Sequence, residues 1–142
     1  MNVDKLQFID LDLPSGKLWA TENVKDKNGD EAYYTFDDAV NTFGENLPSK
    51  EDWKELLENS TYKWNKKKMG YNVTGPNGNS IFLPAAGFRC GVSVWNVGSH
   101  GYYWSSSDIN GDFAHNVRFH SGSLGPNDSD YRYNGLSVRL CK

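Results

Sequence analysis

The chain has little of the residues that mark several large classes of protein. It contains two cysteines, Cys90 and Cys141, in 142 residues. Two are too few for a disulfide framework or a four-cysteine zinc site, and they are compatible with one disulfide or with two free thiols. Basic residues are not in excess, since the formal net charge is −3. Nucleic-acid binders usually carry a basic footprint. The dense basic run at 66–68 is typical of a solvated turn, so we expect no nucleic-acid partner.

Long apolar runs are also missing. No segment has the roughly 20 apolar residues that a membrane-spanning helix requires, so we expect no membrane span. The N-terminus leads from Met1 to Lys5 straight into a strand-like segment, without the apolar region of a secretory signal. Two alternatives stay open, namely a protein made without export and a protein from which a signal was removed.

What is present indicates one turn-rich domain with an aromatic core. A chain of this length is one ordinary domain, 1–142. Aromatic residues make up 14% of it, including five Trp and eight Tyr, and 14 glycines favour many turns. We divide the domain into a scaffold half, 1–84, and a ligand-displaying half, 85–141.

Two segments carry helix signals. The first begins after Thr35, a candidate N-cap, and ends at Gly44. The second, 49–59, begins with Ser49 as the cap and Asp52 three residues later, the spacing of a capping box. In both segments apolar residues recur at helical spacing.

Strand patterns occupy much of the remaining chain. Alternation and β-branched or aromatic content predict short strands at 6–13, 18–21, 71–74, 80–83, 102–104, 114–119 and 136–140. Polar, glycine-rich segments at 108–113 and 121–133 are predicted to be loops.

The composition changes sharply after residue 84. Residues 1–84 contain 10 Lys, 6 Glu, 1 Gln and 2 Met, whereas the 57 residues from 85 to 141 contain none of these four types. At the N-terminal frequency about 13 would be expected. Lys, Glu, Gln and Met favour helices, which explains part of the difference. The types that remain resemble those of antibody binding loops, where Tyr supplies contact area and Ser, Gly and Asn supply adaptable hydrogen bonds. Composition alone is equally compatible with an ordinary glycine-rich half.

Six short motifs, of which one combines 8–16 with 18–21, carry a resemblance to a known family across nearly the whole chain. They include Phe-Leu-Pro-Ala-Ala-Gly-Phe-Arg at 82–89 and Gly-Tyr-Tyr-Trp-Ser-Ser-Ser at 101–107, with further stretches at 8–16, 18–21, 47–49, 73–78 and 135–139. Together they resemble the "Fibrobacter succinogenes major paralogous" domain family of gut Bacteroidetes and their phages. The resemblance implies an α+β, C-type-lectin-like fold, in which two helices pack on a small twisted antiparallel sheet and long C-terminal loops display a binding face.

The same resemblance implies a source for the missing residue types. This fold serves the variable proteins of diversity-generating retroelements, whose reverse transcriptase randomises adenines in a template of the C-terminal coding region. Codons built on AAY cannot become Lys, Glu, Gln, Met or Trp, so Trp95 and Trp104 would be fixed by the template. Relatives often carry Cys where this chain has Glu22, so the family-type pairing to Cys141 is missing.

The candidate ligand-binding residues lie in four segments of the C-terminal half, 89–100, 108–113, 114–120 and 121–133, which the implied fold would bring to one surface. In 114–120, strand alternation places Val117 and Phe119 in the core and the residues between them on the display face. The candidates are Ser93, Trp95, Asn96, His100, Asp108, Asn110, Asp112, His115, Asn116, Arg118, His120, Asn127, Asp128, Asp130, Tyr131, Arg132 and Tyr133. Tyr131, Tyr133, Arg118 and Arg132 are the favoured energetic anchors, because Tyr and Arg are enriched at binding hot spots.

Other polar residues of this half are expected to be structural. The serines at 105–107, Ser137 and Arg139 are predicted to satisfy buried backbone groups. Tyr102 and Tyr103 are expected to pack in the core.

Catalytic and metal-binding patterns are weak. The three His residues could meet at a metal, although His115 and His120 lack the spacing of a helical zinc motif. Asp108, Asn110 and Asp112 match the first positions of an EF-hand calcium loop, but its glycine and final Glu are missing. No nucleophile elbow, phosphate loop or dinucleotide fingerprint occurs.

We therefore expect a non-catalytic protein without cofactor or resident metal. It would bind an unknown protein or glycan ligand at a cell or phage surface, with localisation on a virion or cell surface. An undiversified glycan-binding or adhesin module is the first alternative, and a metal-dependent hydrolase is the second.

Overall fold

The computed structural model describes residues 6–142, so Met1 to Lys5, where the absence of a signal was predicted, lie outside it. Within this range two α-helices, α1 (Phe36–Phe43) and α2 (Lys50–Glu58), are joined through a 3-10 turn at Gly44–Asn46. The ten strands are β1 (Phe8–Asp10), β2 (Leu18–Ala20), β3 (Thr61–Asn65), β4 (Gly70–Thr74), β5 (Ser80–Pro84), β6 (Phe88–Cys90), β7 (Ser93–Trp95), β8 (His100–Asn110), β9 (Phe113–His120) and β10 (Ser123–Tyr131). No helix among the described residues is both long and apolar enough to cross a membrane.

Both helix predictions are confirmed. Thr35 caps α1 by accepting a hydrogen bond from the Asp38 backbone N–H, and Gly44 ends that helix. Ser49 and Asp52 form the reciprocal capping box that starts α2. The buried stripe of α2 contains Trp53, which packs at 4.9 Å between ring centroids against Trp19 of β2.

The strands form four separate antiparallel sheets. Their orders are β1-β2, β3-β4-β5, β6-β7 and β10-β9-β8, with β9 at the centre of the last. Because side chains alternate along β8, Tyr103 enters one core cluster with Trp19 and Trp53, while Tyr102 and Trp104 enter a second with residues of α1. The β8–β10 sheet is therefore packed on both faces over its buried part.

The predicted α+β fold of C-type-lectin type is wrong. Among the described residues, strands hold 55 residues and the two short α-helices 17, and the strands are divided among four small sheets instead of forming one sheet with two helices packed on it. The segments predicted as loops at 108–113 and 121–133 lie largely in β8, β9 and β10. These strands were not predicted because their polar residues show no alternation with apolar ones. Pairing with β9 nevertheless satisfies their backbone N–H and C=O groups, as in any sheet.

The C-terminal strand prediction is also corrected. Residues 136–140 form isolated bridges and loop hydrogen bonds instead of a continuous strand. Ala20 donates to the Leu140 carbonyl oxygen, and Trp19 bridges Cys141. The end of the chain is thus built into the N-terminal half, and the compositional boundary at residue 84 is not a structural boundary.

Candidate ligand-binding surface

Three hairpins with two-residue turns carry the candidate surface. The turns are Gly91-Val92, Gly111-Asp112 and Ser121-Gly122, as the register of the flanking strands shows. Gly91 and Gly111 have positive φ values of 61° and 57°, a conformation that favours glycine and suits tight hairpins. Val92 at the first tip is fully exposed. Short turns of this kind hold the strand ends, and hence their side chains, in fixed positions.

An aromatic group lies at the β8–β9 turn. The exposed rings of Phe113 and Tyr131 stack at 4.8 Å between centroids, because the two residues pair across β9 and β10. The Tyr133 hydroxyl donates to Asp112 Oδ1 at 3.1 Å, although 67% of Tyr133 is exposed. These rings are therefore positioned by neighbours while their faces remain open to solvent.

Arg132 fixes the base of this aromatic group. Its guanidinium donates to the Gly111 carbonyl oxygen at 2.7 Å and pairs with Asp37 at 3.0 Å and Asp108 at 3.4 Å. It also lies over the Phe36 ring. These contacts hold Arg132 in place beside the β8–β9 turn, and its role as an energetic anchor stays a prediction.

A second group of side chains lies at the other end of the β8–β10 sheet. The His100 and His120 rings lie 5.6 Å apart, and Arg118 lies over the Tyr102 ring at 5.6 Å. Asn96 Nδ2 donates to the Tyr102 hydroxyl at 3.0 Å, which ties the β6–β7 hairpin to β8. Burial, together with the nearby His120 and Arg118, lowers the pKa of His100 below its usual value.

Asp130 precedes Tyr131 on β10 and interacts with the charge of Arg118. Its carboxylate accepts hydrogen bonds from the Tyr131 backbone N–H and from Asn134 Nδ2. Burial raises the pKa of Asp130, while those two bonds and the charge of Arg118 act against the rise. Asp130 therefore links the chain after β10 to the sheet.

The third group lines a cavity of about 330 Å³ beside the start of α2. Its walls include Lys50, Ser107, Asp108, His115, Asn127 and Asp128. Only 5% of His115 is exposed, and its Nδ1 lies 2.7 Å from Ser105 Oγ. Its Nε2 is buried and makes no hydrogen bond of good geometry among the described residues. Burial lowers the pKa of His115, and a weaker side-chain hydrogen bond with Asn127 counteracts part of the shift.

The buried pair of Ser105 and His115 does not form an accessible nucleophile. Ser105 has no exposed surface, and its Oγ also accepts from the Ser107 backbone N–H at 3.3 Å. A substrate could not reach the hydroxyl without movement of the sheet. The pair instead fixes the orientation of the imidazole.

Two predicted surface residues are not on the surface. Asn116, expected beside Arg118 and His120 on an exposed face, is fully buried, and neither side-chain polar atom has a partner among the described residues. The alternation itself is correct, because Val117 and Phe119 are in the core. The face that Asn116 shares is covered at this point by the cluster containing Trp104, its cross-strand neighbour. His115 is buried on the opposite face.

The remaining candidates are at least partly exposed. Ser93 and Trp95 project from β7, with Trp95 56% exposed, and Asn110 lies at the end of β8. The calcium-loop hypothesis fails in geometry, because Asp108 and Asn110 belong to a strand and the carboxylates of Asp108 and Asp112 are engaged by Arg132 and Tyr133. In the range 6–142 no cluster of three or more His, Cys, Asp or Glu side chains could hold a metal ion.

The structural role predicted for Arg139 is confirmed. This fully buried side chain donates from Nη1 to the Ala20 carbonyl oxygen, from Nη2 to the Phe82 carbonyl oxygen and from Nε to Asn23 Oδ1. Ser137 instead donates to the Glu31 carboxylate. Cys90 is exposed and Cys141 is buried, and both are free thiols.

Sequence reasoning missed the exposed apolar side chains near these groups. Eight of the ten large hydrophobic residues exposed in the described chain fall within 85–141, and the unpredicted ones are Val92, Val94, Val97, Ile109 and Phe113. Lys50 was missed because it belongs to the other half and reaches the cavity only through the packing of α2 on the sheet. The signal available in the sequence was the position of several of these residues beside glycines at hairpin turns.

Comparison with known proteins identifies no relative of this chain. No protein-family model matches the chain, and no curated protein or solved structure is significantly similar to it.

Proposed function

We propose that the chain is a non-catalytic ligand-binding or receptor-binding protein. Its partner, a protein or glycan on a cell or phage surface, would meet the display surface, by which we mean the exposed side chains of 88–97 and 108–133. The observation that carries this proposal is the concentration of exposed apolar and aromatic side chains there. Exposed apolar patches bordered by polar residues are typical of interaction sites.

The chemistry of the display surface suits recognition. Tyr131, Tyr133 and Trp95 offer large rigid rings, and Tyr and Trp are enriched at hot spots. Ser, Asn and Asp around them supply hydrogen-bonding groups. Arg132 and the short turns hold the rings in place, which reduces the entropy lost on binding.

We further propose that this surface is diversified by a retroelement. Burial does not account for the missing residue types. Of the 57 residues from 85 to 141, 37 are not buried, and none of them is Lys, Glu, Gln or Met. Among the non-buried residues of 6–84, 17 of 57 belong to those types. A codon restriction acting on the C-terminal coding region explains both sets of positions.

Sequencing the gene with its flanks tests the diversification. We expect an imperfect repeat of the 3′ coding region that differs mainly at adenines, together with a reverse transcriptase gene. Finding neither would refute diversification and leave the undiversified binding module as the function.

A displayed library tests the surface itself. Positions Ser93, Asn110, Asp112, Tyr131 and Tyr133 would be randomised with AAY-derived codons and selected against purified hen lysozyme as an arbitrary protein probe. We expect the library to yield folded binders, because the randomised side chains are exposed and other residues hold the hairpins in place. The control library randomises Asn41, Thr42, Glu58 and Thr61, which are exposed in the N-terminal half. Equal yields of binders from both libraries would contradict a specialised display surface.

A further inference from the structure

The three rings of the aromatic group at the β8–β9 turn are open to solvent. Phe113, Tyr131 and Tyr133 are all exposed. The Phe113 and Tyr131 rings stack on each other, and the Tyr133 hydroxyl donates to Asp112 Oδ1. Neighbouring side chains therefore fix the positions of the rings, and the ring surfaces that remain are available to another molecule.

The charge beside these rings is negative. Asp112 contacts Tyr133 and forms no ion pair among residues 6–142. Asp37 at the start of α1 and Asp108 on β8 are exposed, and they share the single guanidinium of Arg132. The hydrogen bond to Asp112 and the charge of its carboxylate raise the pKa of Tyr133. Three carboxylates thus meet one cation at this end of the sheet.

The other cations of the C-terminal half are engaged elsewhere. No Lys occurs from 85 to 141. Of the remaining arginines, Arg139 is in the core, Arg118 lies over another ring and Arg89 donates to a backbone carbonyl oxygen. Lys50, from α2, lines its cavity together with two carboxylates. A cation that neutralises Asp112 would therefore come from a partner.

Aromatic rings beside a carboxylate favour a basic group over the other chemical classes. A cation over an aromatic face is attracted by the ring quadrupole, and in proteins it is more often Arg than Lys. The chain makes this contact itself, since Arg132 lies over the Phe36 ring at 5.2 Å. An anion would be repelled by the carboxylates. A neutral apolar group would cover the Asp112 carboxylate without pairing it, which is costly.

We propose that the aromatic group and Asp112 bind a basic side chain, an arginine or a lysine, of a protein ligand. The rings form an open surface continuous with the rest of the display surface, so one basic residue of a protein would be held here while its neighbours contact the adjoining hairpins. A glycan of neutral or acidic sugars offers no such cation. The inference names the chemistry of one part of the ligand and so rests on the proposed function.

An array of short random-sequence peptides, probed with the whole chain, tests the inference. We expect the bound peptides to be enriched in Arg and Lys. Replacing their Arg by citrulline, its uncharged isostere, should weaken binding by about tenfold. Asp112→Asn and Tyr131→Ala, both at exposed positions, should each weaken it by about threefold or more. The matched control Glu58→Gln removes an exposed charge from the N-terminal half and should leave binding unchanged.

Four outcomes would overturn the inference. They are the absence of any bound peptide, bound peptides without enrichment in Arg or Lys, binding that survives the citrulline exchange, and equal losses in Asp112→Asn and Glu58→Gln, which would indicate a general effect of net charge. Tetramethylammonium, a free cation, should not displace the bound peptides, and complete displacement would reject a protein side chain as the ligand.

Failure of this inference can be told apart from failure of the proposed function. The displayed library replaces Asp112, Tyr131 and Tyr133 by other residues, so it can yield binders when the native side chains show no preference for basic peptides. That result would retain the display surface and reject the basic ligand. Equal yields from the display and control libraries would instead reject the specialised surface itself.

Discussion

The buried and exposed portions of 85–141 share one composition for different reasons. In the buried portion, which includes 101–105 and 135–141, Lys and Glu would be rare in any protein, because burying an unpaired charge is costly. In the exposed portion, 88–97 and most of 108–133, nothing in the packing forbids them. The missing residue types are therefore informative about function only at the exposed positions, and the following predictions test how different the two portions are.

The two cysteines give the largest expected difference. Burial and the neighbouring Asp52 raise the pKa of Cys141 to about 12. At about pH 8 its thiolate fraction is therefore roughly a thousandfold lower than that of an ordinary cysteine, since each unit of pKa changes this fraction about tenfold. We expect a thiol reagent to modify Cys90 in the native protein and Cys141 only on unfolding, as followed by mass spectrometry. Equal native rates would contradict the burial of the C-terminal segment.

The two arginines should differ strongly in their effect on stability. Arg139→Met leaves the carbonyl oxygens of Ala20 and Phe82 without a donor, so we expect a loss of about 3–5 kcal/mol in the free energy of unfolding. Arg139→Lys should not restore the lost stability, because a single ammonium group cannot reproduce the hydrogen-bond geometry of the planar guanidinium. The control Arg118→Met is exposed and should change stability by less than about 0.5 kcal/mol. Urea denaturation measures both.

A matched pair of phenylalanines lies on β9. Phe119 is 1% exposed and packs against Tyr71 and Tyr103, whereas Phe113 is 41% exposed. Phe119→Ala should cost about 3–5 kcal/mol, the range for large core truncations. Phe113→Ala should cost less than about 1 kcal/mol. Similar losses for the two would show that Phe113 is structural and not part of the display surface.

The buried histidine makes stability depend on pH. Burial lowers the pKa of His100 and His115 below 6.5. Below that value the unfolded chain binds more protons than the folded chain, so the free energy of unfolding falls as pH drops towards the folded pKa values. His115→Gln should flatten part of this dependence, and His100→Gln should remove a separate part. A pH series of denaturant midpoints that is unchanged in both variants would contradict the lowered values.

The smallest effect on stability is expected at Tyr133. Its ring is largely exposed, and its hydrogen bond to Asp112 is at the surface, so Tyr133→Ala should leave the free energy of unfolding nearly unchanged. Binding by a selected library member that retains Tyr133 should nevertheless fall on the same substitution. A stability loss comparable to that of Arg139→Met would assign Tyr133 to the scaffold.

Local signals succeeded where the cause is local. The caps at Thr35 and Ser49 place both helices, because a cap depends on residues within one turn. Strand alternation placed Val117 and Phe119 in the core. The exposed strand β10 was missed because its Gly, Pro, Asn and Asp residues have low strand propensity, and its conformation depends on pairing with β9. Asn116 was misplaced because alternation identifies a face but not what covers it.

The sequence by itself determined the helices, the core side of β9 and the restricted composition of 85–141. Each of these depends on residues that are neighbours along the chain. Only the tertiary structure decided that Arg139 is built into the N-terminal half, that Lys50 and His115 share a cavity and that Asn116 is buried. Those facts depend on contacts between residues that are not close neighbours along the chain, such as Arg139 with Asn23, and no local pattern encodes them. The tertiary structure also divided the Ala85–Cys141 stretch, whose composition is uniform, into a buried portion and an exposed portion, because burial is a property of the packed molecule.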